Sequence, residues 1–481
     1  MDRKSVIISM ALSLLFIFAA CDKDEHEQEP VIPEGHGALN IGLETEGADI
    51  PVNVVHLFIF GTNDKLQAHE YFENPAEVAL HATNLPSGRY TVIAVINVPA
   101  DFMPPASRVA LYAASRTATA SSRVTPPAAT RADDLPDISL AEFNQWLSGE
   151  ATQHPEMLTG MEQTELKEGE VKQLIVTIKE GMEGFTLPVL HLSLTLPEPQ
   201  LPDYMPTRAA EAGYALRCVV EACRAGTDDI VLHTPYTPTP ATDGSGAFLL
   251  DLPLNTNVYD LRLWTDYAPA SSPQEDTYYN TDHLKTITLM TEPAYTANTD
   301  AKDAAYACNT DIDLSAGDRT VDVQLQRPLA KYRLIATDVE AYRKLAEIDA
   351  TKYPPLDELT VTVQYENYFP ASFNAVTGKP NDSYTGIAYT GCLTDAEGFD
   401  TATALQAGSD WVLTNGTESF VSATVKITDR TGNTVTATGS IRIPYRRGQL
   451  TTVKGNFLSG GHAGGGVEID TEWEDDIIIR F

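Results

Sequence analysis

After residue 38, apolar side chains recur at every second position in short runs, and no other property of the chain restricts its fold as much. Residues 39–43, 52–60, 90–98, 171–178 and 190–196 carry this period and are rich in Val, Ile, Leu, Tyr and Phe. Successive side chains on a pleated strand point to opposite faces, so a period of two marks one face for burial and predicts strands. Gly61-Thr62-Asn63-Asp64 and Pro86-Ser87-Gly88 supply the turn chemistry that hairpins and sheet corners need. A helical period is confined mainly to residues 140–147 and 339–348. The 481 residues are 43% hydrophobic and 21% charged, enough for real cores but too long for one, so about three domains are expected. The predicted fold class is all-β: tandem immunoglobulin-like β-sandwich domains with few short helices.

Two joints look alike. Residues 171–178 pass through Gly181-Met182-Glu183-Gly184 into 189–196, and residues 321–325 pass through Arg327-Pro328-Leu329-Ala330 into 332–336. Read as domain junctions, they give an N-terminal sandwich at 38–183, a middle one at 184–326 and a C-terminal one at 327–481. Residues 103–136 are rich in Ala, Ser, Thr, Pro and Arg without a period. They read as an exposed loop, either a tolerated insertion or an adhesive surface.

The first 37 residues do not belong to a core. Arg3 and Lys4 precede an apolar stretch, residues 6–20, that is too short for a comfortable membrane span and reads as a signal peptide, residues 1–20. It ends in Phe18-Ala19-Ala20-Cys21, which resembles the lipobox of bacterial lipoproteins, although Phe18 replaces the usual aliphatic residue. Cys21 is therefore the expected lipidation site, with acyl chains such as palmitate holding the chain on a bilayer at roughly 0.8 kcal/mol per buried CH2. The alternative is an ordinary secretory signal in which Cys21 is incidental. Residues 21–37 are polar, contain Pro30 and Pro33, and read as a flexible tether. Within them Asp22-Lys23-Asp24-Glu25 also resembles an outer-face export signal.

Composition removes several functions. Lys and Arg number 33 against 67 Asp and Glu, a formal net charge of -34, which repels nucleic acid and anionic lipid alike. No HExxH motif or zinc-spaced Cys/His cluster occurs, and Gly244-Ser245-Gly246 is a turn rather than a nucleophile elbow. The run from Ser459 through Gly466 lacks the Lys-Ser/Thr of a phosphate loop. No enzyme, cofactor or metal is expected. Residues 300–313 are acid-rich and read as a solvated loop in preference to a calcium site. Trp264, Tyr267, Tyr278 and Tyr279 can be core or a sugar-stacking platform. Cys218 and Cys223, five apart, face opposite sides of one strand, while Cys308 and Cys392 stand alone; disulfides and buried thiols both remain open.

Ile443-Pro444-Tyr445-Arg446-Arg447, followed by Leu450-Thr451-Thr452-Val453-Lys454-Gly455-Asn456-Phe457-Leu458, resembles the penultimate strand segment of fimbrillin-like proteins. Residues 467–481 with Trp473 resemble their C-terminal strand, and Leu261-Arg262-Leu263-Trp264 and Tyr278-Tyr279-Asn280-Thr281 extend the likeness. It covers about residues 187–481, and more weakly residues 54–60. The resemblance implies transthyretin-like sandwiches, a surface-exposed lipoprotein of the outer membrane, and a structural or adhesive role as anchor or accessory subunit of a type V fimbrium (pilus). Shaft subunits of that family lose their first strand to an Arg-specific protease, and the slot accepts a neighbour's C-terminal strand. Between Arg3 and Arg89 this chain has no arginine, so its first strand is expected to stay. Val467, Ile469, Trp473, Ile477 and Ile479 then either complete the third domain or are donated to a pilus subunit. A glycan- or host-binding surface lipoprotein that does not polymerise is the alternative function. Asn415-Gly416-Thr417 and Asp400-Thr401-Ala402 match short glycosylation patterns, and Asn415-Gly416 also reads as a turn.

Overall fold

The structure, a computed structural model, describes residues 32–46, 50–105, 135–197, 213–416, 418–459, 468–470 and 477–480. The first group of strands is β1 (His36–Thr45), β2 (Val55–Phe60), β3 (Leu66–Phe72), β4 (Ala82–Pro86), β5 (Gly88–Ile96), then helix α1 (Leu140–Ala151), β6 (Leu158–Leu166) and β7 (Val171–Glu180). The second is β8 (Val189–Thr195), β9 (Tyr214–Arg224), β10 (Ile230–Tyr236), β11 (Thr239–Pro240), β12 (Phe248–Pro253), β13 (Val258–Pro269), β14 (Tyr279–Asn280), β15 (Ile287–Leu289), β16 (Ala305–Asp313) and β17 (Arg319–Gln324). The third opens with β18 (Leu329–Ala336), α2 (Val339–Ile348), β19 (Thr360–Glu366), β20 (Phe369–Asn374), β21 (Lys379–Tyr384), β22 (Ala388–Gly391) and β23 (Thr394–Asp395). It ends with β24 (Leu405–Leu413), β25 (Ser419–Thr428), β26 (Thr434–Ala437), β27 (Ile441–Tyr445), β28 (Leu450–Gly455), β29 (Glu468–Asp470) and β30 (Ile477–Arg480). The all-β sandwich architecture expected from the period-two segments is what the chain adopts. β1 begins at His36, two residues inside the segment read as tether, and most of residues 103–136 lies outside the described residues.

The three groups are built to one plan. Each opening strand pairs in parallel with the closing strand of its own group, beginning at Ala38–Val171, Leu190–Arg319 and Lys331–Leu450. On its other side each opening strand takes an antiparallel neighbour, giving β4-β1-β7, β12-β8-β17 and β24-β18-β28. The facing leaves are the antiparallel runs β3-β2-β5-β6 and β10-β9-β13-β16, and β22-β19-β25 with β26 and β27 both on β25. In the first group the two leaves also join at Leu158–Glu180 and Thr159–Lys179. Parallel strands cannot be linked by a tight turn, so everything between opening and closing strand must cross over before the ladder forms. At the first junction Gly184 passes so close to the Thr159 carbonyl that a Cβ would sit 1.8 Å from that oxygen, and only glycine fits there.

Leu39 and Ile41 of β1 meet Leu57, Ile59, Val92, Ala94, Val176 and Ile178 in the first sandwich core. The other faces of β2 and β5 are buried as well, because Phe58, Phe60, Ile93 and Val95 pack on Leu140, Phe143 and Leu147 of α1. β2, VHLFIF, is therefore buried along its whole length instead of on alternate residues as the expected period of two would have it. α1 starts at a capping box in which the Ser139 hydroxyl accepts from the Glu142 amide and the Glu142 carboxylate accepts from the Ser139 amide.

The junction at residues 326 and 327 divides strands but not cores. β15 of the middle span pairs with β20 of the last through Ile287–Phe373 and Thr288–Ser372. Trp264, Tyr279 and Tyr306 pack in one cluster with Tyr332, Phe369, Phe373 and Val425. The middle and C-terminal sandwiches share a hydrophobic core, whereas Leu190, Leu192, Leu261 and Leu263 form a separate one inside the middle sandwich.

On the α1 side of the first sheet, the buried His56 places Nδ1 3.0 Å from Nε2 of His69. Burial pushes His56 down to about 4 and His69 to about 3, the second imidazole being opposed also by the first. The Pro99 carbonyl and Asp101 oppose the His56 shift without reversing it. A histidine held neutral when folded but free to protonate when unfolded stabilises the fold above its ordinary value near 6.5, and that stability is lost as pH falls towards the folded value. Urea unfolding of the first sandwich should therefore weaken between pH 7 and pH 5, by up to about 2 kcal/mol per imidazole. His56→Phe should flatten the dependence, and an unchanged wild-type midpoint across that range would contradict this account.

Candidate functional site

Two strands bear on the expected fimbrial chemistry, the first and the last. β1 is paired along eight positions with β7, from Ala38–Val171 to Thr45–Ile178, and through five with β4. Leu39 is fully buried and Ile41 nearly so, which makes β1 part of the core and not a removable cover. The connection from β1 to β2 contains no arginine. The slot that a first strand would vacate is filled by the chain itself.

At the other end β28 has β18 on one side and β30 on the other. β30 pairs with β28 in parallel, from Thr451–Ile477 to Lys454–Arg480, and β29 pairs antiparallel with β30 as the outermost strand of that sheet. Ile469, Ile477 and Ile479 lie in these two strands, with Ile469 opposite Ile479. Val467 and Trp473 lie outside the described residues, as does Cys21. Of the two arrangements open to the C-terminal strand, this conformation is the one in which it completes its own sheet. β17, the counterpart of β28 in the middle sandwich, is by contrast an edge strand among the described residues. The third sandwich thus carries β29 and β30 as an addition to the shared plan.

The chain is pinned just before that addition. Asp338, 5% exposed at the start of α2, accepts at Oδ2 from the Leu458 amide at 3.0 Å, the Ser459 amide at 2.6 Å and the Ser459 hydroxyl at 2.7 Å. Phe457 and Leu458 are buried beside it. Up to Ser459 the chain is core, and beyond it the described hold is a short ladder at a sheet edge. Nothing in the local sequence flags Asp338, because its donors lie about 120 positions away.

The acid-rich residues 300–313 are not the solvated loop that their composition predicts. Lys302 forms an ion pair with Asp410 at 2.7 Å, Asp303 takes two bonds of 2.9 Å from Arg327, and Asp300 pairs with Lys331. These contacts tie the middle sandwich to the third, and among the described residues no cluster fits a metal ion. Tyr295 and Tyr365 both donate to Asp410 Oδ2 at 2.7 Å, and burial raises both phenols well above their usual value. Trp264 and Tyr279 are core, and Tyr278 is buried beside them. All four described cysteines are free thiols; burial pushes Cys218 and Cys223 up to about 12, so neither is a ready nucleophile.

Asp338→Ala would leave the Leu458 and Ser459 amides without their acceptor, at about 1–3 kcal/mol for each buried group. Hydrogen exchange at those two amides should speed up while the β18 amides stay protected; unchanged exchange would show that the carboxylate does not pin the chain.

No curated protein matches the chain. Solved structures similar to it include the fimbrial anchor protein Mfa2 from Porphyromonas gingivalis, at 14% identity over 52% of this chain and 82% of that one, with a TM-score of 0.29. The tip fimbrial protein Mfa3 of the same organism, with a C-terminal truncation, matches at 12% identity over 53% and 82%, TM-score 0.26. A fimbrial assembly protein from Parabacteroides distasonis matches at 11% identity over 56% and 89%, TM-score 0.28. The sequence model of DUF6562, a family of unknown function, matches residues 187–480, the two sandwiches with the shared core and the added end strands, and the chain belongs to that family.

Proposed function

We propose that this chain is a lipid-anchored protein of the outer membrane surface, with a structural or adhesive role as the anchor or an accessory subunit of a fimbrium. The observation that carries the proposal is the pairing of β1 within its own first sandwich, on a stretch of chain without a trimming arginine. Such a subunit keeps its first strand, offers no vacant slot and so ends a chain of strand donation. The C-terminal edge supports a donor role at the opposite end, because β30 is held by four paired positions and can exchange its ladder for an equivalent one on a partner. The lipobox ending in Cys21 supplies the tether, and the acidic surface suits a protein displayed outside the cell. The buried positions of Trp264, Tyr278 and Tyr279 weigh against a glycan-stacking platform at those residues.

Deleting residues 467–481 should abolish co-purification of pilus subunits with the chain while leaving the three sandwiches folded by circular dichroism. Undiminished co-purification would remove strand donation from the proposal. Cys21→Ala should move the protein from the membrane fraction to the soluble one, and retention in the membrane would defeat the lipid tether.

A further inference from the structure

The joint between the middle and third sandwiches brings together an amine, a carboxylate and a proton relay in a place closed to water. The side chains of Lys302 and Asp410 are 2% and 0% exposed, with Nζ and Oδ1 2.7 Å apart. The Tyr295 hydroxyl touches both: it accepts from Lys302 Nζ at 2.8 Å and donates to Asp410 Oδ2 at 2.7 Å. The Trp411 amide donates to Oδ1 at 2.8 Å, and the Tyr365 hydroxyl donates to Oδ2 at 2.7 Å, so the carboxyl group is fixed in orientation. Tyr332 and Tyr389 continue the buried hydroxyl chain from Tyr365. A cavity of about 90 Å3 borders Tyr295 and Lys302.

We propose that Lys302 and Asp410 condense into an intramolecular amide, an isopeptide crosslink between the middle and third sandwiches, with Tyr295 as the catalytic proton relay. Proton transfer from Nζ through the Tyr295 hydroxyl to Oδ2 converts the ion pair into amine and acid. Burial lowers the Lys302 ammonium from its usual value, which favours that transfer. The freed lone pair on Nζ attacks Cγ, a C–N bond forms, and the Cγ–Oδ2 bond breaks. Two of the three ammonium protons leave with Oδ2 as water, both passed in turn by the Tyr295 hydroxyl, which is restored, and Oδ1 becomes the amide oxygen. Ammonium and carboxylate thus give amide and water, with no oxidant, reductant or external group. Exclusion of bulk water favours the amide side, and the adjoining cavity has room for the water released. Fixed contact between the reacting atoms replaces a chance encounter with a held geometry. The bond would close a span of 108 positions in a protein whose four described cysteines are free.

The test is peptide mapping of the full chain, purified folded, then denatured and digested with trypsin. The expected product is a branched peptide containing Lys302 and Asp410, lighter by one water than its two parts, with no cleavage after Lys302. Complete cleavage there, with both peptides at their full mass, would overturn the proposal. Lys302→Arg, which keeps the charge, should restore the lost water, and a deficit that persists in this variant would place the dehydration elsewhere and also overturn it. Tyr295→Phe should keep the fold and the ion pair but lose the crosslink; an undiminished crosslink in that variant would eliminate the relay.

Discussion

Parallel pairing between the opening strand of each sandwich and the strand that closes the plan shared by all three, β7, β17 or β28, is the constraint from which the rest of the molecule follows. Because such a pair cannot be closed by a turn, each sandwich is complete only when its whole sequence has been laid down, across 133 positions for Ala38 and Val171. The opening strand sits in the interior of its leaf, with an antiparallel neighbour on its other side, and is committed on both edges. That is why β1 belongs to the core. It is also why the C-terminal addition stands out, since it lies beyond a closing strand whose sandwich already has its full complement.

Polar chemistry organises the joint between the second and third sandwiches. Arg327 with Asp303 and Lys302 with Asp410 are buried pairs at 2.9 and 2.7 Å that cross it. Removing ions from water is costly, so pairs of this kind add little net stability over apolar side chains of similar size. What they do is penalise other arrangements, because any shift that separated one pair would strand a charge in a dry core. Together with the β15–β20 ladder they make the orientation of the two sandwiches specific.

The strands were legible because a half-buried ribbon imposes a period of two, and β1, β5, β7 and β8 overlap the alternating segments closely. α2 coincides with the helical period at residues 339–348, and its Val339 and Tyr342 are buried in the core shared by the last two sandwiches. Less legible was anything decided by partners distant in the chain. Residues 300–303 look solvated by composition, and only the arrival of Arg327, Lys331 and Asp410 turns them into a buried joint. The shared core was hidden for the same reason, since Trp264 and Phe373 each look like core of their own segment and nothing local says that they meet. Asp338 stands at the cap position of α2 but makes no cap bond there, and its carboxylate serves Leu458 and Ser459 instead.

The direction of the closing ladders has a mechanical consequence. In each sandwich the chain enters at the start of the opening strand and leaves at the end of the closing strand, and these two strands run the same way. Tension between the two ends of the molecule therefore drags the paired strands past each other lengthwise, loading all their backbone hydrogen bonds together. Antiparallel terminal strands pulled from adjacent ends would instead peel apart one bond at a time. A chain of three such clasps in series resists stretching at every module, a property suited to a molecule that bears traction.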